Sequence, residues 1–152
     1  MIIRRMTFED YEQAEELFKK LHNLHAEMEP DMYKKLDCVN KKRDFKKHVK
    51  SKNKIMLCAE EDGKIIGVSN TKFCTSGMTE IKMAFMDALY VDENFRSSGV
   101  GKNLFLETER IAKENGAERL DLTVWNFNKG AIKFYESLGM VVQRYTFEKT
   151  LK

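Results

Sequence analysis

The sequence lacks paired cysteines and long apolar runs. Its three cysteines, Cys38, Cys58 and Cys74, are isolated and odd in number. This excludes the close pairs of a zinc knuckle or a redox dithiol and favours reduced thiols. No window is apolar enough to span a membrane, and the first residues lack the apolar run of a signal peptide. We therefore expect a cytoplasmic protein with no membrane partner.

A strong excess of one charge is also missing. The net charge is +3 over 152 residues, too small for a surface devoted entirely to polyanions. The exception is the stretch 41–54, with eight Lys or Arg residues against one Asp. It leaves two interpretations open, an acidic partner or a solvated helix face. The lack of interleaved aromatics favours the solvated face, and we expect no nucleic-acid partner.

Length and hydrophobic content predict one domain over residues 1–152. In its N-terminal part, an Ile pair at residues 2–3 predicts a short strand. Thr7 and Asp10 form a capping pair for a helix that ends near Pro30. Apolar residues at three-to-four spacing predict the buried face of this helix. Its charged residues, Glu15 among them, predict the exposed face.

The middle of the chain predicts a second helix and three consecutive strands. Asn40 is expected to cap the helix. The Asp-Gly pair at residues 62–63 stands between two apolar runs, which is a strong hairpin signal. A turn at residues 76–77 then leads into a strand over residues 81–91.

The C-terminal half predicts alternating helices and strands. One helix ends at Gly116, the next strand ends near Trp125, and Asn128 and Gly139 bound a further helix. Residues 141–149 alternate in character and predict a last strand. Hairpins followed by strand–helix units indicate an α/β domain with a mixed sheet and late parallel or crossover pairing.

Residues 87–105 join a strand, a loop of small residues and a helix start, an arrangement that leaves backbone N–H groups near residues 96–102 able to bind an anion. Two familiar phosphate motifs do not fit. The Gly-x-x-x-x-Gly-Lys-Ser/Thr spacing is absent, and Leu104 stands where a dinucleotide fingerprint has its third glycine.

The loop sequence Arg-Ser-Ser-Gly-Val-Gly at residues 96–101 resembles the Arg/Gln-x-x-Gly-x-Gly/Ala signature of the GNAT superfamily of acyl-CoA-dependent N-acetyltransferases. Residues 128–139 look like the second conserved block of that family. The specific resemblance covers residues 81–149, and the N-terminal half agrees only in the order of its predicted elements. Met140 departs from the pattern, since the family often has Phe there.

The resemblance implies a GNAT-like, mostly antiparallel mixed sheet flanked by helices, with a parallel strand pair splayed around the CoA arm. It also implies acetyl-CoA as cosubstrate, bound through the loop, the preceding strand and the later helix. The implied cofactor-binding residues are Leu89, Tyr90, Val91, Arg96, Ser97, Ser98, Gly99, Val100, Gly101, Lys102, Asn128, Ala131 and Tyr135.

The resemblance further implies that Tyr135 is the general acid that protonates the departing CoA thiolate. A backbone N–H near Leu89 would stabilise the oxyanion. Strand alternation predicts Asp87 on the same face as Leu89 and Val91, which makes it a candidate base or substrate-orienting group for the attacking amine. His22 and His25 lie three residues apart without an evident third ligand, so we expect no metal site.

These features predict an enzyme that transfers an acetyl group directly from acetyl-CoA to a primary amine of a small molecule or peptide. Two alternatives stay open: a non-catalytic acyl-CoA-binding or sensing domain, and nucleic-acid binding through residues 41–54. A homodimer is also open, because pattern alone does not separate exposed from core aromatics in the last strand.

Overall fold

A five-stranded sheet forms the centre of the computed structural model, which describes residues 1–75, 77–78 and 80–152. Its strands lie in chain order: β1 (Ile2–Arg5), β2 (Lys54–Glu61), β3 (Lys64–Thr75), β4 (Lys82–Val91) and β5 (Arg119–Leu122). Neighbouring strands are antiparallel except for β4 and β5, which are parallel. The predicted mixed sheet is therefore confirmed.

The chain divides into two compact units, Met1–Leu122 and Thr123–Lys152. The first contains the sheet with helices α1 (Tyr11–Met28), α2 (Lys42–Lys50) and α3 (Val100–Glu114), and the second contains α4 (Lys129–Ser137). The single domain predicted over residues 1–152 stays a prediction. Among the described residues, no helix is long and apolar enough to cross a membrane.

The helices of the first unit cover both faces of the sheet. On one face, Phe18 of α1 and Phe45 of α2 pack in a cluster with Val68 of β3. On the other, Leu104 and Ile111 of α3 pack against the sheet. Apolar residues spaced to lie on one side of each helix produce these two buried layers.

Local signals in the sequence act as expected at several boundaries. The Thr7 N–H donates to Asp10 Oδ2 at 2.7 Å ahead of α1. Asp62 and Gly63 both have positive φ, 51° and 78°, as a tight hairpin between twisted strands requires. The predicted turn at residues 76–77 includes Ser76, which lies outside the described residues.

Three predictions from the sequence are wrong. Glu15 is buried rather than exposed, because it binds the segment between α1 and α2. The residue that precedes α2 is Lys41, and the Asn40 side chain instead donates to Glu15 Oε2 at 2.9 Å. The structure assigns no strand to residues 141–149, because alternating side chains describe the faces of a strand but do not decide its backbone pairing.

Candidate functional site

The end of β4 extends beyond its pairing with β5. The parallel ladder stops at Met86 and Leu122, whereas β4 continues beside β3 as far as Val91. The Asp92 N–H donates a hydrogen bond to the Ile66 carbonyl oxygen of β3 at 2.8 Å. Because backbone groups alternate in direction along a strand, the amide groups of Leu89 and Val91 point away from β3. They face the side on which the ladder with β5 has ended.

A β-bulge interrupts β4 at Asp87. In the register with β3, Ala88 lies opposite Asn70 and Met86 lies opposite Thr71. Asp87 is therefore the extra residue between two paired positions. Bulges bend a strand and redirect its side chains, and they are frequent next to active sites.

The bulge changes what the sequence predicted for Asp87. Ala84 and Leu89 both pack on the α3 side of the sheet, although strict alternation would put them on opposite sides. Alternation therefore does not place Asp87 on the face of Leu89 and Val91, which is a correction. The Asp87 carboxylate lies 3.5 Å from Lys72 Nζ, with 33% of its side chain accessible.

Three polar side-chain atoms of β3 are buried beside the bulge. Ser69 Oγ, Asn70 Oδ1 and Thr71 Oγ1 have no hydrogen-bond partner within the part of the chain that the structure describes. A buried polar atom without a partner costs about 1–3 kcal/mol, so such atoms mark places that water or a ligand satisfies. These three residues were not among those predicted from the sequence. The available signal was a polar run inside an otherwise apolar strand.

A capped turn leads from β4 into the loop. Asp92 is buried, and its Oδ1 accepts a hydrogen bond from the Asn94 N–H at 3.0 Å. This hydrogen bond lowers the pKa of Asp92, and the ammonium of Lys20, 3.6 Å from Oδ2, acts in the same direction. Asp92 therefore stays ionised and fixes the start of the loop.

Arg96 folds back against the end of β4. Its Nε donates to the Val91 carbonyl at 3.1 Å, and its guanidinium lies 5.3 Å from the centre of the Tyr90 ring. Arg96 and Lys102 both remain exposed. Two cationic groups are therefore accessible to an anion that approaches the loop.

Two residues in the left-handed region turn the loop into α3. They are Ser97 (φ 63°) and Gly99 (φ 86°), the residue just before the helix. The start of an α-helix leaves the N–H groups of Val100, Gly101 and Lys102 without intrahelical acceptors, at the positive end of the helix dipole. This geometry suits a phosphate group.

Gly67 of β3 allows α3 to approach the sheet. A Cβ at this position would lie 3.0 Å from Leu104 Cδ1 and 3.0 Å from Val100 Cγ1. Gly67 is paired with Val91, so it sets the separation between the helix start and the end of β4. Gly67 was not among the residues predicted from the sequence. A glycine inside a strand pattern is the signal for such a close approach.

The predicted residues of the second unit lie on or next to α4. Asn128 caps the helix, since its Oδ1 accepts a hydrogen bond from the Ala131 N–H at 3.1 Å. Tyr135 is half-buried and packs edge-on against Phe134, with ring centres 5.1 Å apart. Desolvation by the surrounding atoms raises the pKa of Tyr135 to about 12. The phenol is therefore protonated at neutral pH.

Contacts from α1 order the segment between α1 and α2. Glu15 is the main anchor, because its carboxylate accepts hydrogen bonds from the backbone N–H groups of Val39 and Asn40. Tyr11 adds a hydrogen bond from its hydroxyl to the Asn40 carbonyl at 2.7 Å. Asn23 exchanges two hydrogen bonds with the backbone of Leu36.

The two histidines of α1 pack against this segment. His22 Nε2 lies 2.8 Å from the Lys34 carbonyl oxygen. The rings of His22 and His25 lie 5.9 and 5.7 Å from the Tyr33 ring. Burial and the neighbouring His22 lower the pKa of His25. Within the described residues, no group of His, Cys, Asp and Glu is arranged to hold a metal ion.

The short parallel β4–β5 ladder and the glycine loop at the start of α3 define an α/β protein with a helix start whose geometry suits an anion. The sequence model of the Acetyltransferase (GNAT) family matches residues 10–140. The chain belongs to this family, and the resemblance drawn from the two motifs is confirmed.

Individual relatives agree with this membership. The chain is 28% identical over 95 residues to YhfO of Bacillus subtilis, an uncharacterized N-acetyltransferase. That match covers 62% of this chain and 64% of YhfO, less than two thirds of the relative's length.

Solved structures match the whole fold. A mutant of the BH1408 protein from Bacillus halodurans superposes with a TM-score of 0.94 at 28% identity, covering 100% of both chains. The aminoglycoside N-acetyltransferase AAC(6')-Iy, solved in complex with CoA, superposes with a TM-score of 0.76 at 20% identity over 98% of both chains. The second likeness concerns the fold alone. The GNAT fold class is therefore confirmed.

Proposed function

We propose that this protein is an acetyl-CoA-dependent N-acetyltransferase that acetylates a primary amine of a small molecule or peptide by direct transfer in a ternary complex. The observation that carries the proposal is the start of α3. Gly99 in the left-handed region leads directly to three N–H groups without intrahelical acceptors. Family membership supports the same activity.

The geometry of the loop fits the pyrophosphate of CoA. A side chain at Gly99 would be strained at φ 86°, so the loop keeps its backbone close to the ligand. The N–H groups of Val100, Gly101 and Lys102 would hold the phosphates, together with Arg96 and the loop serines Ser97 and Ser98.

The remaining binding residues are proposed from the two family motifs. Backbone groups of Leu89, Tyr90 and Val91 would hold the pantetheine arm, which the direction of the Leu89 and Val91 amides supports. Asn128, Ala131 and Tyr135 would complete the site. When bound, acetyl-CoA supplies an acetyl group already activated as a thioester.

The chain's own groups then have three tasks. The Leu89 N–H donates to the acyl oxygen as negative charge develops there. The amine forms an N–C bond and loses a proton, while the C–S bond breaks and the thiolate gains one. We assign the proton donor to the Tyr135 hydroxyl. We assign Asp87, directly or through water, to receiving the proton of the amine or to orienting it.

Positioning supplies much of the rate enhancement in such a reaction, so few catalytic side chains are required. We place the activity in the cytoplasm, a location that the three free cysteines support. Several relatives are named thialysine N-epsilon-acetyltransferase, for example one from Caenorhabditis elegans, 32% identical over 56 residues. That name supports an amine acceptor without specifying the acceptor of this protein.

Thiol release from acetyl-CoA with a panel of polyamines, aminoglycosides, amino acids and peptides tests the proposal. At least one amine should release thiol above the rate of acetyl-CoA hydrolysis. The Tyr135→Phe variant should then lose roughly 10²–10⁴-fold in kcat and still bind CoA in calorimetry. Tyr145→Phe is the matched control, because Tyr145 is exposed and lies outside the proposed site.

Two outcomes contradict parts of this proposal. Unchanged turnover by Tyr135→Phe would remove the acid assignment but not the activity. CoA binding without thiol release for any amine would point instead to a non-catalytic acyl-CoA-binding domain.

A further inference from the structure

The basic stretch at residues 41–54 divides in the fold into lysines with different surroundings. Lys42 and Lys46 lie over the ring of Phe8, 6.0 and 5.3 Å from its centre. Lys42 also forms an ion pair with Glu12 at 3.3 Å. These two lysines therefore belong to a solvated helix face. The last three lysines of the stretch line a pocket instead.

This pocket has a volume of about 290 Å³ and lies where the C-terminal ends of α2 and α3 meet the edge of the sheet. Its lining contains four cationic side chains, those of Arg5, Lys50, Lys52 and Lys54. Not one of the four forms an ion pair with a residue that the structure describes. The pocket therefore concentrates positive charge that these residues do not neutralise.

Lys54 occupies an unfavourable position in the sheet. It lies directly opposite Lys72 of β3, and like charges in directly opposite positions destabilise a sheet. Lys72 is compensated by Asp87, whose carboxylate lies 3.5 Å from its ammonium. Lys54 is half-buried and has no such partner among the described residues. Its charge therefore costs stability unless an anion enters the pocket.

The carboxylate that senses Arg5 is bound elsewhere. Hydrogen bonds from Arg110 are the main cause that lowers the pKa of Glu107, and the charge of Arg5 makes a smaller contribution. Both Glu107 oxygens accept hydrogen bonds from Arg110, at 2.9 and 2.6 Å. Glu107 therefore does not neutralise the Arg5 side of the pocket.

Helix ends explain only part of the charge. Lys50 lies in the last turn of α2, where a cation interacts favourably with the helix dipole. Each helix C-terminus carries roughly half a negative charge, so the ends of α2 and α3 together offset about one positive charge. An excess of about three positive charges remains in the pocket.

Size and charge together select the ligand. About three excess charges in so small a volume require an anion of high charge density. A phosphate group carries up to about two negative charges at neutral pH, so two or three linked phosphate groups match the excess. Ser51 adds a donor to the lining. Its Oγ accepts a hydrogen bond from the Asn53 N–H at 3.1 Å, which leaves the hydroxyl hydrogen for a phosphate oxygen.

The lining does not suit a nucleobase. Phe73 is its aromatic residue, and Phe73 is only 6% exposed. The ammonium of Lys82 lies 4.5 Å from the centre of the Phe73 ring and covers it. Recognition of a base without sequence preference depends on stacking against an accessible ring. The pocket therefore favours a phosphate chain over a nucleotide or a nucleic acid.

The pocket is separate from the loop proposed for CoA. It includes Asn115, just after α3, whereas the loop leads into Val100 at the start of this helix. The 15 residues of α3 place its two ends about 22 Å apart. We propose that this pocket is a second anion site, which binds a small polyphosphate without a nucleobase. The site does not depend on acetyl transfer.

Calorimetry with inorganic tripolyphosphate tests the site. The native protein should bind it, and Lys54→Met should weaken binding about tenfold or more, because a charged contact is lost. Lys46→Met is the matched control, since it removes the same charge from the solvated face of α2. It should change the affinity by no more than about twofold at physiological salt. Gly99→Ala, at the CoA loop, should leave this binding intact.

Thermal unfolding provides a second measurement. Without polyphosphate, Lys54→Met should be at least as stable as the native protein, because it removes the repulsion between Lys54 and Lys72. Added tripolyphosphate should raise the Tm of the native protein and of Lys46→Met, since a ligand that binds the folded state stabilises it. The Tm of Lys54→Met should rise much less.

Four results would overturn the proposal. The first is a native protein that does not bind tripolyphosphate. The second is equal weakening by Lys46→Met and Lys54→Met, which would indicate general attraction to a basic surface. The third is loss of binding in Gly99→Ala with none in Lys54→Met, which would place the anion at the CoA loop. The fourth is tighter binding of ATP or single-stranded DNA that Lys54→Met removes, which would show recognition of a base.

Discussion

Gly67 on β3 and Leu104 on α3 approach so closely that a methyl group at position 67 would lie 3.0 Å from Leu104 Cδ1. Gly67→Ala should therefore push the start of α3 away from the sheet. We expect a loss of roughly 1–3 kcal/mol in the free energy of unfolding, measured by urea denaturation. Because the N–H groups at this helix start are the proposed phosphate site, the KM for acetyl-CoA should also rise.

A second substitution, at Leu104, tests whether crowding against this side chain causes the stability loss of Gly67→Ala. Leu104→Ala alone should cost about 2–5 kcal/mol, since Leu104 is fully buried. In the double variant the methyl group added at position 67 partly fills the space that Leu104 vacates. The double variant should therefore be more stable than the sum of the two single effects predicts. Simple additivity would show that the contact is unimportant.

Substituting the glycines at the two ends of α3 distinguishes an effect on ligand binding from the stability cost of backbone strain. Gly99 and Gly116 have nearly the same positive φ, 86° and 84°, and an added Cβ would meet no atom within 4 Å at either position. Gly99→Ala and Gly116→Ala should each cost roughly 1–2 kcal/mol of stability. Only Gly99→Ala should weaken CoA binding in calorimetry. Equal weakening by both variants would remove the assignment of the loop.

The fold could be predicted well from the sequence wherever local chemistry decided the structure. The hairpin at residues 62–63, the Asn128 cap and the glycines that end α3 and α4 all act through their nearest neighbours in the chain. Glu15 could not be predicted in this way. Its partner, the backbone at Asn40, lies 25 residues away in the chain, and helical periodicity contains no information about such a contact.

The same distinction applies to the candidate site. The helix start and its loop could be identified from one continuous stretch, because glycine spacing encodes them directly. The bulge at Asp87 depends on how β4 and β3 pair. The buried polar atoms of Ser69, Asn70 and Thr71 can be assigned to the site only once that pairing is known. Strand 141–149 was predicted from alternation alone, which describes a strand's faces but not whether a partner is present.

The ionisation of Tyr135 can be measured directly. Desolvation raises its pKa to about 12, whereas an ordinary tyrosine has a pKa of about 10. The difference in phenolate absorbance between the native protein and Tyr135→Phe should therefore remain small up to about pH 11. Ionisation of Tyr135 near pH 10 would show that its hydroxyl is well solvated.

The raised pKa of Tyr135 also affects the stability of the fold. Between about pH 10, where tyrosine ionises in the unfolded chain, and about pH 12, the folded state keeps a proton that the unfolded state has lost. The contribution of Tyr135 to the free energy of unfolding should therefore decrease as pH rises from about 10 to about 12. Urea denaturation of the native protein and Tyr135→Phe should show this decrease only in the native protein.

Arg4 and Asp10 form a bidentate ion pair, with both N–O distances 2.8 Å, and Asp10 is 7% exposed. The Arg4 guanidinium holds the pKa of Asp10 below its usual value. This pair therefore stabilises the fold above the ordinary aspartate pKa of about 3.9, and the stabilisation is lost as pH falls through the lower folded-state pKa. Arg4→Met should cost roughly 1–3 kcal/mol at neutral pH, because it leaves a buried carboxylate without its main partner.

Arg110→Met provides the matched control for Arg4→Met. Arg110 contacts Glu107 and Glu114 on the exposed surface of α3, where ion pairs contribute only about 0–1 kcal/mol. Urea denaturation from neutral to acidic pH should therefore show a large difference between the native protein and Arg4→Met that shrinks as Asp10 becomes protonated. The Arg110→Met difference should be small throughout. If the two arginine variants lost the same stability at neutral pH, burial of Asp10 would not be what makes its ion pair important.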